Sequence, residues 1–288
     1  MSTITEQTSM TFALGGDRIV NRLGFGAMRI TGPGIWGEPK DPEEARRVLR
    51  RAVELGVEFI DTADSYGPEV SERLIGETLS PYPKNVVIAT KGGLTRQGPN
   101  KWQPVGRAEY LRQEVEMSLR RLRLERIDLY QLHRIDPKVP VEESVGVLAD
   151  MQREGKIRHI GLSEVTAAEI EQAGKTGKIV SVQNKYNIGD RAHEATLDCC
   201  EKNQLAFIPW FPVAAGKLAQ SGGPLDAFAK KHGATLAQLS IAWLLHRSPV
   251  MLPIPGTSTV KHLEENLGAA RLKLDSSEWQ QIEDAAKS

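Results

Sequence analysis

The feature that most constrains this chain is an alternation. Short apolar runs, each the length of a buried strand, recur between longer stretches of helical periodicity. The runs cover 22–28, 57–60, 86–90, 127–132, 157–162, 179–182, 205–209 and 250–254. A helix starts at Pro42 behind Asp41 as N-cap and stops at Gly56, with Ala45, Val48, Leu49, Ala52 and Val53 on one face. Further helices are predicted over 71–79, 107–122, 141–154, 166–173, 190–202, 236–246 and 259–270. Eight such units in 288 residues fit a closed parallel (β/α)8 TIM barrel better than an open sheet. Gly15-Gly16-Asp17 marks a β-hairpin over 11–19 that caps the barrel, 216–223 reads as flexible, and a helix over 276–286 is extra. No compositional shift divides the chain, so residues 1–288 are expected to form one domain.

Composition narrows the partners. Lys plus Arg equals Asp plus Glu at 37 each, so there is no global field to recruit nucleic acid or an anionic membrane. No apolar run is long enough to span a bilayer, and the polar start of the chain lacks the pattern of a secretory signal. Cys199 and Cys200 are the only cysteines; they are adjacent, suit neither an unstrained disulfide nor a metal site, and fit a reducing cytoplasm.

The chemistry is expected where strands stop. A parallel α/β protein presents its active site at the carboxyl ends of its strands. Asp61, Lys91, His133, Ser163, Gln183 and Trp210 each follow the last apolar residue of a run, and Tyr66 lies just beyond Asp61. Taken singly they read as a helix cap, a surface charge, a core imidazole, a turn residue. A barrel brings them onto one rim.

The motifs carry a resemblance along nearly the whole chain: Val57-Glu58-Phe59-Ile60-Asp61-Thr62-Ala63-Asp64-Ser65-Tyr66-Gly67, Ile88-Ala89-Thr90-Lys91, Asp128-Leu129-Tyr130-Gln131-Leu132-His133, the segment from Gly155 to Ser163, Val182-Gln183-Asn184, and Ile254-Pro255-Gly256-Thr257-Ser258. The chain resembles the aldo-keto reductase superfamily. The resemblance implies catalytic roles for Asp61, Tyr66, Lys91 and His133. A phenol with an ordinary pKa of about 10 keeps its proton at neutral pH and can give it to a carbonyl oxygen that receives a hydride. A nearby Lys91 ammonium favours the phenolate, Asp61 holds Lys91, and His133 hydrogen bonds the carbonyl oxygen.

Hydride comes from a nicotinamide, with NADPH (NADP+ in reverse) expected over NADH. No glycine-rich dinucleotide fingerprint is present, so the resemblance supplies the cofactor contacts. Ser163, Glu164 and Gln183 are assigned to the carboxamide and Trp210, with Phe211 and Pro212 beside it, to stacking on the nicotinamide. Gly256, Thr257, Ser258, Lys261 and His262 are assigned to the phosphate, and Glu265 and Asn266 to adenine. Two departures from the family stand out. Glu164 replaces the usual asparagine and when ionised accepts but does not donate. Gly256 and His262 replace a lysine and an arginine, leaving Thr257, Ser258, Lys261 and a helix N-terminus for a 2'-phosphate. Met28, Trp36, Trp102 and Arg134 are expected to wall the substrate pocket. The Gly-Pro-Gly loop near Trp36 and the Trp-Phe-Pro segment resemble bacterial reductases related to pyridoxal reductase, so the expected substrate is a small aldehyde, pyridoxal among the candidates. Two other readings use the same residues: an NADPH-binding sensor or accessory subunit, and an aldolase forming a Schiff base on Lys91.

Overall fold

The computed structural model describes residues 10–212, 223 and 225–287, so most of the stretch expected to be flexible lies outside the described residues. The chain opens with the expected hairpin, β1 (Thr11–Leu14) against β2 (Arg18–Asn21). Its turn docks on the barrel wall: a Cβ on Gly15 would lie 2.2 Å from the His159 ring. Asp17 accepts from His159 Nε2 at 2.6 Å, and Leu14 and Val20 of the hairpin are fully buried.

Parallel strands follow in chain order, interrupted by one local hairpin. They are β3 (Phe25–Gly26), β4 (Phe59–Asp61) and β5 (Val87–Gly92), then the antiparallel pair β6 (Leu94–Gly98) and β7 (Lys101–Pro104), then β8 (Ile127–Leu132), β9 (Ile157–Ser163), β10 (Ile179–Gln183) and β11 (Ala206–Phe207). The seven parallel strands are hydrogen bonded in the order of the chain. The eighth run, 250–254, closes the barrel through single bonds. Phe207 N donates to Val250 O at 2.8 Å, Leu252 N to Phe207 O at 2.8 Å, and Gly24 N to Pro253 O at 3.0 Å. Pro253 and Pro255 have no N–H, which explains why this ladder is thin. Closure is tight, since a Cβ on Gly26 would lie 2.6 Å from Ile254 O and one on Gly256 2.7 Å from Gly26 O.

The helices pack outside: α1 (Pro42–Glu54), α2 (Val70–Leu79), α3 (Ala108–Leu122), α4 (Val141–Arg153), α5 (Ala167–Gly174), α6 (Glu194–Asn203), α7 (Asp226–Lys231), α8 (Leu236–Arg247), α9 (Val260–Gly268) and the additional α10 (Ser276–Lys287). Asp41 caps α1 as its position demands, accepting from Glu44 N at 2.9 Å. Three expectations need correction. The segment carrying Trp102 is not an irregular loop but the β6–β7 hairpin, whose turn uses Asn100 at φ +55°. The sixth helix begins at Glu194 rather than near 190, because Asn187 and Asp190 exchange backbone hydrogen bonds at 3.1 and 3.0 Å in a tight turn. The stretch expected to run as loop from 209 to the helix at 236–246 contains helix α7.

Strand alternation decides what reaches the interior. Phe59 in β4, Val87 and Ala89 in β5 and Leu129 in β8 pack into the barrel, while Ile60, Val86, Ile88 and Tyr130 face the helices. Two residues further along the inward columns stand Asp61, Lys91 and Gln131. The period that builds the core therefore delivers an acid, a base and an amide to its upper end.

Candidate active site

Lys91 is fully buried and its ammonium has three acceptors: Asp61 Oδ2 at 2.7 Å, Thr62 O at 2.7 Å and Tyr66 Oη at 3.3 Å. Asp61 is equally engaged, its Oδ1 accepting from Gln183 Nε2 at 2.8 Å and Gln131 Nε2 at 3.1 Å. The turn after β4 is pinned to β5, with Thr62 N donating to Ala89 O at 2.8 Å and Asp64 N to Lys91 O at 3.1 Å. That pinning brings the phenol of Tyr66 back over Lys91. His133 follows β8, its N–H donating to Gly92 O at 2.8 Å; its ring stands edge-on to Tyr66 with centroids 5.9 Å apart, and Nδ1 lies 3.2 Å from Ser65 Oγ.

Burial sets the protonation states. It would lower the Lys91 ammonium, but the charge of Asp61, with Tyr66, outweighs it and holds Lys91 above its ordinary value. Burial pushes the Tyr66 phenol up; Lys91 draws it back only in part, so it keeps its proton at neutral pH. His133 is driven well below the usual imidazole range by burial and by Lys91, Arg134 and Arg96, and is neutral. The site thus holds a charged amine, a neutral phenol and a neutral imidazole.

These groups form the floor of a cavity of about 940 Å³. Asp61, Tyr66 and His133 line it, with Lys91 immediately beneath. Ser163, Gln183, Trp210, Phe211 and Pro212 line it too, as do Gly256, Thr257, His262, Glu265 and Asn266. Met28, Trp102 and Arg134 also face it.

Several expected contacts are placed otherwise. Trp36 does not line the cavity. It is 38% exposed and lies beside Arg96, while its neighbour Ile35 takes the wall position. Glu164 stands behind Trp210, accepting from its Nε1 at 2.5 Å and from Lys185 N at 2.8 Å, so it braces the indole rather than facing the cavity. Ser258 and Lys261 are exposed and off the cavity wall. The N-terminus of α9 is partly used, with Val260 N donating to Glu44 Oε1 at 2.9 Å. Ser163 Oγ and Gln183 already have internal partners, Arg134 Nη1 at 3.1 Å and Asp61 respectively.

The structure adds residues that the sequence reading passed over. Gln131 holds Asp61 and could have been found by continuing the inward period from Leu129. Arg29 lines the cavity near Gly256 and, among the described residues, has no carboxylate in salt-bridge reach. Arg96 gathers three segments. It donates to Ser65 O at 2.8 Å, Gly34 O at 2.9 Å and Ile35 O, and its guanidinium lies 3.6 Å from the Trp102 ring centroid. Among the described residues no cluster of His, Cys, Asp or Glu could hold a metal, and no helix is long and apolar enough to cross a membrane.

Residues 22–287 match the sequence profile of the Aldo/keto reductase family. The chain belongs to this family. A Schizosaccharomyces pombe protein named uncharacterized oxidoreductase C215.11c is 55% identical over 273 residues, 95% of this chain and 89% of the relative. The pyridoxine 4-dehydrogenase of Escherichia coli is 44% identical over 273 residues, 93% of this chain and 95% of the relative. An aldo-keto reductase from Klebsiella pneumoniae solved in complex with NADPH superposes with a TM-score of 0.82 at 25% identity, covering 95% of this chain and 94% of that one. In this family member the buried Lys91–Asp61 pair lies beneath the Tyr66 phenol at the floor of the cavity.

Proposed function

We propose that this chain is an NADPH-dependent oxidoreductase that reduces an aldehyde or ketone to an alcohol. The observation that carries the reading is a protonated phenol, Tyr66, 3.3 Å from a buried ammonium at the floor of a cavity large enough for a dinucleotide and a small carbonyl compound. The cofactor fits the residues present: Ser163, Gln183 and Trp210 line the cavity and would hold the nicotinamide, and Thr257, His262, Asn266 and Arg29, also on its wall, would hold the adenosine phosphate. Bound NADPH supplies the hydride that no side chain can. Tyr66 holds the proton that the carbonyl oxygen needs. Lys91 stabilises the phenolate left behind, and Asp61, braced by Gln131 and Gln183, keeps Lys91 charged and oriented. His133 is placed to orient the oxygen by a hydrogen bond. The 44%-identical pyridoxine 4-dehydrogenase supports pyridoxal among the substrates, and Met28, Trp102, Leu94 and Ile35 give an apolar wall suited to a flat ring. Schiff-base chemistry needs a neutral, accessible amine, whereas Lys91 is charged, fully buried and bound three times.

Loss of nicotinamide absorbance with a panel of aldehydes including pyridoxal, run with NADPH and with NADH, tests the proposal. Turnover is expected with NADPH, and a folded protein with no turnover on any aldehyde would refute it. Tyr66→Phe is expected to lower kcat by roughly 10²–10⁴-fold while NADPH binding stays nearly intact; equal loss of both would make Tyr66 structural.

A further inference from the structure

His133 must present a hydrogen-bond donor to a carbonyl oxygen, and a neutral imidazole has only one N–H to give. Which nitrogen carries it is set by the partner of the other. In this site that partner is Ser65. The serine is 3% exposed and His133 5%, and Ser65 Oγ lies 3.2 Å from Nδ1. Two arrangements satisfy this distance. In one, Nδ1–H donates to Oγ; the serine proton then needs another acceptor, and among the described residues Oγ has none within hydrogen-bond distance. A buried hydroxyl left without an acceptor is costly. In the other, the hydroxyl donates to Nδ1, both groups are satisfied, and the proton of the imidazole sits on Nε2, on the ring edge away from Ser65, in a side chain that lines the cavity.

We infer that Ser65 is the positioning residue of the site: its hydroxyl donates to His133 Nδ1 and fixes the Nε2–H tautomer as the donor to the substrate carbonyl. The inference rests on the reductase reading for its functional consequence. The serine is itself held. Arg96 Nη1 donates to Ser65 O at 2.8 Å while the same guanidinium lies over Trp102, whose ring stands at 6.4 Å from that of His133. The imidazole is thus confined by Tyr66 on one side, Trp102 on another, and Ser65 at Nδ1. Arg96 and Trp102 position the residue that positions the donor. Burial and the charges of Lys91, Arg134 and Arg96 keep the ring neutral, which is what makes the choice of tautomer matter.

Two-bond proton–nitrogen correlation spectra of the full chain, labelled at the histidine ring nitrogens, read the tautomer directly, with His133→Gln identifying the signal. The wild type is expected to show protonated Nε2 and bare Nδ1. The Nδ1–H form in wild type would overturn the inference without any variant of Ser65. Ser65→Ala is expected to shift the signal towards a mixture and to lower kcat for an aldehyde by about two- to tenfold, the worth of one hydrogen bond, with KM for NADPH little changed. Ser65→Thr, which keeps a hydroxyl, is expected to restore the tautomer and most of the rate. Unaltered tautomer and kcat in Ser65→Ala would refute the assignment. Absence of turnover in the wild type would instead defeat the reductase reading, and the wild-type spectrum would still decide the tautomer.

Discussion

Asp61→Asn isolates the electrostatic core of the site with almost no change of shape. Asp61 uses both oxygens, Oδ2 for the Lys91 ammonium and Oδ1 for the amides of Gln131 and Gln183. All of these partners are donors, and an asparagine has only one acceptor oxygen. With Oδ1 towards the two glutamines, its NH2 faces Lys91 Nζ where 2.7 Å now separates a donor from an acceptor; flipped, it faces the glutamine amides instead. Either way donor meets donor, and Lys91, with no exposed side-chain surface, loses its counter-charge. Removing one partner of a buried pair costs about 3–5 kcal/mol. At about 2 °C per kcal/mol for a chain of this size, the melting temperature should fall by roughly 6–10 °C. The ammonium then shifts towards the neutral amine, the phenolate of Tyr66 loses its stabilisation, and kcat should drop by roughly 10²-fold or more.

A double variant separates stability from chemistry. Adding Lys91→Met to Asp61→Asn removes the uncompensated charge, so most of the lost stability should return while activity stays absent. The assays are thermal unfolding followed by circular dichroism and NADPH oxidation with saturating aldehyde. If Asp61→Asn melts with the wild type and keeps its kcat, the pair neither stabilises the barrel nor sustains the charge on Lys91, and the argument from geometry fails.

Two further outcomes follow from groups outside that pair. Arg29→Ala removes a rim cation that has no internal partner among the described residues, so NADPH affinity should weaken on the order of tenfold at low salt, less at high salt, with kcat unaltered; fluorescence titration showing identical affinities would place Arg29 away from the phosphates. Asp64 is buried, its Oδ1 has no hydrogen-bond partner among the described residues, and burial with the charges of Glu72 and Glu114 holds its carboxyl well above the usual range. The folded state therefore binds this proton more tightly than the unfolded one. The stability it confers is complete below about pH 3.9, the unfolded value, and is lost as pH rises towards the folded value, at up to about 1.4 kcal/mol per pH unit. Asp64→Asn should gain stability relative to wild type as pH rises above about 3.9 in urea unfolding; parallel pH dependence of the two proteins would show that Asp64 is ionised in the folded state.

What the sequence made legible was whatever a local period determines. Alternation in β4, β5 and β8 predicts both the packed interior and the residues that end it, which is why Asp61, Lys91 and His133 stand where the strand ends put them. Gln131 obeys the same period and was hidden only by being counted as strand. The rest depended on pairings between distant segments. Glu44 meets Val260 N across 216 residues, Arg96 meets Ser65 and Gly34 across 31 and 62, and neither end of these contacts carries a local pattern. Its place beside Ser163 points Glu164 to the cofactor, but its φ of +55° and the indole N–H of Trp210 turn it away from the cavity. The loop position of Trp36 points to the pocket wall, yet the turn that bonds Gly37 N to Gly67 O leaves the ring outside and Ile35 within.

The charge of the site illustrates why global and local balance must be argued separately. Equal numbers of acidic and basic residues, 37 each, remove any long-range field that would gather nucleic acid or an anionic surface. Within the cavity the balance is different. Asp61 is neutralised by Lys91 at its floor, while Arg134 and Arg29 reach the wall with no ion pair of their own among the described residues. Glu265 is the one other carboxylate on that wall among the described residues, and Glu44 is engaged by Val260 N and Arg47. Two guanidiniums on a cavity wall act over a few ångströms in a medium poorer in water than the surface, where each is worth more than the same charge outside. A chain with no net charge can therefore present a locally cationic wall to an anionic ligand, because the cations of that wall are left without carboxylate partners.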